Sequence, residues 1–316
     1  MYFPYLRGRQ FELIAIRELL EEGLIGENII PIIEPIKPTS TLIKTLDIFA
    51  QHERTLAFIH NPQVGNYKNE LGNIKEGKVK KKLNEIVYEN NILPMHIMNS
   101  NSQAEIGQLV DNGLRKEDLM IFIDNSDDIK TFQDIWIETN PKFILVPDSS
   151  EYRRTFDKNK VLCIDRFPEE NRNVDYLKQV DRHFSSDHLF YKGENYEGFS
   201  DYTIVGNKFL EGGFAPYAVV IHIVYFSDDL KLRIKHFGSD SNEDYYDQAG
   251  KFYEALTKLI EWKSEADTEI DTFALREFEK HFDNGTYPGL GTIKKLCIMH
   301  HLELMSNFLS RQERLS

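Results

Sequence analysis

NIIPIIE (residues 28–34) is an apolar run without polar alternation that closes on a carboxylate. Comparable runs return through the first two thirds of the chain: TLAFIHN (55–61), ILPMHIMN (92–99), LMIFIDN (119–125), FILVPD (143–148), VLCIDR (161–166), DYTIVG (201–206) and YAVVIHIVYF (217–226). Continuous β-branched runs are the signature of strands buried on both faces, and most of the intervening stretches are long enough for a helix. Eight runs of this kind predict an α/β protein built on a (β/α)8 TIM-like barrel. Side chains at the C-terminal ends of such strands converge on one mouth.

The 316 residues exceed the ~250 that such a barrel usually takes. Residues 1–240 are therefore read as the barrel and 241–316 as a helical appendage of the same domain, packed outside it. With 41% hydrophobic and 28% charged residues the chain has material for a core and no disorder-type bias. A net charge of −13 argues against nucleic acid and anionic lipid as partners, because the long-range field repels them. Cys163 and Cys297 are the only cysteines, both inside apolar runs, so a disulfide framework is excluded and a reducing cytoplasm is expected. AVVIHIVYF is far too short to span a bilayer.

A first helix is expected over 10–23, with Leu13, Ile16, Leu19 and Leu20 on one face and Gly23 as its stop, placed ahead of the first strand. The irregular segment 61–77, NPQVGNYKNELGNIKEG, is a candidate lid, followed by a basic helix start. Further helices are expected over 102–112, 129–139, 151–157 and 174–184, and an edge hairpin or a lid over 185–200. SDD after the last run signals a turn, so 217–236 reads as a β-hairpin. Helices over 245–262, 272–282 and 292–309 complete the chain, with DNGTYPGLG as a break.

The strand ends supply the candidate chemistry. Glu34, held between Pro31, Pro35 and Pro38, together with His60, His96 and Asp165, has the residue types for acid–base or metal work. Asp124 and Asp148 would complete a ligand-binding rim, although aspartates there also serve as helix caps. His60 and His96 close neighbouring strands, so both imidazoles are expected near one ligand at the mouth. His300 and His301 are about 100° apart around a helix and cannot point the same way. Lys78, Lys80, Lys81 and Lys82 read as a solvated helix face. HExxH, CxxC, GxSxG, P-loop and Rossmann glycine patterns are missing from the sequence, which removes the usual support for those chemistries and names no cofactor or metal.

The opening YFPYLRGRQFELIAIREL, with Tyr2, Pro4, Arg7, Arg9 and Glu12, followed by IIPIIEP, resembles the start of the phage Beta-protein-like family. GFSDY (198–202) and IMHHLEL (298–304) are similar to that family's Asp-Tyr and double-histidine blocks. The resemblance points to a bacterial branch expected on prophages and other mobile or defence-linked elements. It implies interest in Arg7, Arg9, Glu12, Glu34, Asp201, Tyr202, His300 and His301, but no agreed activity. Arginine stands at position 7 where many relatives carry lysine, which excludes Schiff-base chemistry there. Two readings follow. In one, the mouth handles an anionic small molecule or a phosphodiester, with Arg7, Arg9 and Arg166 as anion clamps. In the other, the barrel is a non-enzymatic binding or interaction protein, a defence-system component that recognises a protein or a ligand without turnover in phage–host conflict. The sequence leaves the oligomeric state open.

Overall fold

The computed structural model describes residues 1–212, 215–265 and 270–315. The chain folds as two compact units: residues 1–13, 27–165 and 190–202 form the first, and residues 14–26, 166–189 and 203–316 the second.

The first unit is an eight-stranded parallel sheet. In order around it are β1 (Tyr5–Leu6), β2 (Ile32–Ile33), β3 (Leu56–Ile59), β4 (Ile92–Ile97), β5 (Met120–Phe122), β6 (Phe143–Val146), β7 (Lys160–Cys163) and β9 (Gly198–Ser200). The sheet curls until its first and last strands meet. The Phe3 amide donates to the Phe199 carbonyl at 2.8 Å and the Tyr5 amide to the Asp201 carbonyl at 2.8 Å, closing the ladder. Strands β1 to β7 feed one packed interior through Phe3, Tyr5, Ile32, Ala57, Ile59, Leu93, Met95, Ile97, Met120, Phe122, Leu145, Val161, Cys163 and their neighbours, and Tyr202, just beyond β9, joins it. The barrel is thus a filled core rather than a pore. Helices alternate with the strands: α2 (Ser40–Gln51), α3 (Tyr67–Asn73), α4 (Lys78–Glu85), α5 (Ser102–Asp111), α6 (Ile129–Ile135) and α7 (Ser150–Thr155). Helix α2 starts where the Thr39 hydroxyl accepts from the Leu42 amide at 3.2 Å.

Six of the eight apolar runs become barrel strands, and two do not. DYTIVG is a turn, and β10 (Val220–Phe226), within YAVVIHIVYF, belongs to another sheet. Their places are taken by β1, which precedes the first helix, and by β9. These strands are two and three residues long, so their backbones pair without leaving an apolar run to read. Closure also needs a small residue: a Cβ on Gly198 would lie 2.7 Å from the Phe3 ring and 2.8 Å from the Met1 carbonyl. Gly198→Val is expected to cost about 1–3 kcal/mol through overpacking, read as a lower melting temperature; an unchanged melting point would mean the barrel does not close there.

In the second unit, β10, β11 (Leu232–Gly238) and β8 (Asp181–Ser185) form an antiparallel sheet. The expected hairpin over 217–236 is present, but the helix expected over 174–184 is a 3-10 turn (Asn173–Lys178) followed by β8. The segment 185–200 is a helical turn, α8 (Asp187–Phe190), leading to β9. Helix α1 (Gln10–Glu21) begins in the first unit and ends in the second. Helices α9 (Gln248–Glu265) and α11 (Leu290–Leu315) pack on β11 and β10, and α10 (Phe273–Asp283) packs on α11. Ile221, Ile223, Ile234, Leu256, Leu259, Met299 and Leu302 are buried there. No helix among the described residues is long and apolar enough to cross a membrane.

Candidate functional site

Strand alternation decides which side chains reach the barrel mouth. Tyr5 and Ile32 point inward, so Arg7 and Glu34, two residues further on, continue the same face. The Arg7 guanidinium pairs with the Glu34 carboxylate. Glu34 is fully buried, and its oxygens also accept from the Tyr5 hydroxyl at 2.7 Å and the amides of Gln63 and Val64 at 2.7 and 3.3 Å. Glu34 therefore ties β1, β2 and the loop after β3 together. Gly8 lets the strands approach at this point: its φ is 62°, and a Cβ there would stand 3.0 Å from the Glu34 carbonyl.

The guanidinium lies between two aromatic rings, with its carbon 5.2 Å from the Tyr5 centroid and 5.3 Å from that of Tyr202. Burial opposes the Arg7 charge, but Glu34 and the two tyrosines outweigh it and raise its pKa. Burial raises Tyr5, with Glu34 adding to it. Burial also raises Tyr202, reinforced by Cys163, and pushes the Cys163 thiol up to about 12. All three stay protonated at neutral pH, as hydrogen-bond donors rather than bases or nucleophiles.

Of the remaining strand-end candidates, Asp124 is exposed and acts electrostatically on Tyr202 and Cys163, which places it with this cluster. Asp165 is half-buried, two residues beyond inward-facing Cys163. Asp148 pairs with Arg153 on the exposed rim. Asp201 accepts from the Tyr2 hydroxyl at 2.7 Å, and Tyr2 stacks on Phe199 at 4.9 Å, so this motif aspartate fastens the closing strands instead of facing the interior. Arg9 is half-buried just before α1, where its carbonyl accepts from Leu13, and Glu12 is buried in the first turn. Arg166 belongs to the second unit and makes a two-pronged pair with Asp187 at 2.8 and 2.5 Å.

His60 and His96 do meet, with His60 Nε2 2.7 Å from His96 Nδ1. His96 lies between Met95 and Ile97, which face the interior, so its ring faces α5. There its Nε2 is 2.7 Å from the Ser102 hydroxyl, which accepts from the Asn99 amide. The site expected to unite Glu34 with both histidines thus separates into two clusters. Burial lowers His60 to about 4 and His96 to about 3, so both are neutral at pH 7. Ser102 and His96 are fully buried, and the chain Ser102–His96–His60 fastens the start of α5 to β3 and β4. Asn61 and Asn99 extend it by donating to Glu105 at 3.3 and 3.2 Å.

The two motif histidines of α11 are buried and point apart. His300 Nε2 donates to the Val224 carbonyl at 2.7 Å, while its Nδ1 lies 2.9 Å from the Thr272 hydroxyl. His301 lies edge-on to Phe184 with centroids 5.2 Å apart. Among the described residues, no group of three His, Cys, Asp or Glu side chains is placed to hold a metal ion.

Tyr5, Gln63 and Ser102 were not anticipated. Tyr5 is readable in retrospect because it stands two residues ahead of Arg7, and Ser102 because a serine opening a helix after a strand commonly bonds back to the preceding loop. No family model, curated protein or solved structure matches the chain.

Proposed function

We propose that the barrel mouth binds the acidic group of a small molecule or phosphodiester, with Arg7 as the recognising fork. The observation that carries this reading is the preorganisation of Arg7: it is stacked against Tyr5 and Tyr202, oriented by buried Glu34, and 12% exposed. A guanidinium is a planar fork whose geometry matches phosphate. The resemblance to the phage Beta-protein-like family supports a prophage or mobile-element context for this function. Asp124, Asp165 and Tyr202 would shape selectivity around the bound group.

A second reading, an interaction protein without turnover, is favoured by the protonated state of Tyr5, Tyr202 and Cys163 and by the full set of donors on Glu34. One assay separates the two. Titration with bis(4-nitrophenyl) phosphate should show binding by calorimetry, and Arg7→Lys, which keeps the charge beside Glu34, should weaken it about tenfold, or ~1.4 kcal/mol. Equal affinity of wild type and variant would reject Arg7 as the fork. Release of 4-nitrophenolate that is lost in Arg7→Lys would establish an enzyme, and binding without release would favour the interaction protein.

A further inference from the structure

Two cavities of the second unit adjoin, sharing Asn173 and Pro216 in their walls. Their volumes, about 430 and 700 Å³, lie within the range of small-ligand sites. The inner, smaller one is mostly apolar. Helix α11 presents Leu290, Ile293, Lys294 and Cys297 to it, spaced i, i+3, i+4 and i+7 and so on one helical face. Phe167 and Tyr176 supply aromatic wall around His222, with ring centroids 5.2 and 4.8 Å from it.

The protonation of His222 follows from its neighbour. Its Nδ1 lies 2.8 Å from Nδ1 of His236, a contact that needs one proton between the two rings. His236 is buried, and its Nε2 has no hydrogen-bond partner among the described residues. Orphaned buried N–H groups are avoided more strictly than orphaned acceptors, so the His236 proton sits on Nδ1 and is donated to His222. His222 then carries its own proton on Nε2, and this half-exposed ring offers the inner cavity one N–H donor.

The outer cavity is lined by Asn171, Arg172, Asn173, Tyr217 and Asn242 and by no carboxylate. The amide nitrogens of Asn173 and Asn242 donate to the Ala218 and Asp240 carbonyls at 2.8 and 2.9 Å, which leaves their side-chain oxygens as acceptors. Arg172 commits its fork to Asp175 through contacts of 3.1 and 3.0 Å. Tyr217, 55% exposed, adds an aromatic face. Acceptor oxygens beside an aromatic ring suit the hydroxyls and C–H face of a sugar, and the engaged guanidinium favours one without phosphate.

We propose that the joined cavities are a second binding site, separate from the barrel mouth, for a nucleoside. Its base fills the inner cavity and accepts from His222 Nε2, while its sugar lies against Tyr217 and donates to Asn173 and Asn242. Affinity is assigned to the apolar walls and these hydrogen bonds, and none of it to the Lys294 ammonium.

Calorimetry on the full chain at pH 7.5 with adenosine, cytidine and uridine tests this. At least one should bind, about tenfold or more tightly than its free base or ribose because both cavities contribute, and its 5′-monophosphate should bind no tighter. Leu290→Trp, at a half-exposed position of the inner wall, should abolish binding with little change in melting temperature. His222→Phe, which keeps a ring and removes the donor, should weaken binding up to about tenfold, and the half-exposed Asn242→Ala should weaken it on the same scale. Arg7→Lys should leave it unchanged. Binding by none of the three nucleosides at millimolar concentration, a monophosphate that binds more tightly than its nucleoside, undiminished binding in a folded Leu290→Trp variant, or loss of binding in Arg7→Lys would each overturn the proposal.

Discussion

Acidification from pH 7 to pH 4 is expected to unfold the protein. Burial lowers His60, His236 and His300 to about 4, and His96 and His301 to about 3. The unfolded chain takes up these protons near pH 6.5, so the stability conferred by neutral buried imidazoles is whole above that value and is lost as pH falls toward 4. Each pKa unit is worth about 1.36 kcal/mol per group at full effect, so a few such groups together reach the scale of the 5–15 kcal/mol of a typical fold. The surroundings act in the same direction: Lys263 disfavours charge on His300, and His300 and His188 disfavour it on His301. Arg182 opposes a charge on His236 against Asp181 and Glu170, while Glu105 only partly offsets burial at His60. Asp175, held well below the usual carboxylate range by Arg172 and Lys178, contributes only at lower pH. Circular dichroism should show the transition near pH 5, and His301→Phe should move its midpoint downward. A native signal persisting at pH 4 would show that these imidazoles accept protons without cost.

Glu34→Gln is expected to lower stability sharply. The amide keeps the shape but loses the charge that faces Arg7, and its NH2 replaces an acceptor where Tyr5, Gln63 and Val64 all donate. Breaking one side of a buried pair costs about 3–5 kcal/mol, which corresponds to a fall of roughly 10 °C in a protein of this size. A carboxylate kept for chemistry alone would leave the melting temperature near wild type. The two outcomes distinguish an organiser of the mouth from a reactive group.

The runs that became β2 to β7 were legible because barrel interiors demand long apolar segments on both faces. Strands β1 and β9 were not, since FPYLRG and GFSDY contribute two or three paired residues each and depend on backbone bonds formed across the closing seam. YAVVIHIVYF reads like a barrel strand because β10 is also largely buried, but by α11 and its antiparallel partner. At the site, proximity was easier to read than direction. Neighbouring strand ends brought His60 to His96, yet the face they occupy follows from the phase of Met95 and Ile97, which only the packed interior fixes. Glu34 was visible as a carboxylate at a strand end. An ion pair there, with Lys37 or a neighbouring arginine, was the alternative reading, but Arg7 as the partner was not legible, because it enters the mouth from a strand that the sequence pattern does not reveal.

The most direct measurement is a crystal structure of the full chain grown in the presence of bis(4-nitrophenyl) phosphate. The phosphoryl oxygens should lie within hydrogen-bond distance of the Arg7 guanidinium, beside Tyr202, with the Glu34 contacts retained. Clear density for the phosphodiester elsewhere on the protein, with Arg7 uncontacted, would contradict the assignment of the barrel mouth as the binding site.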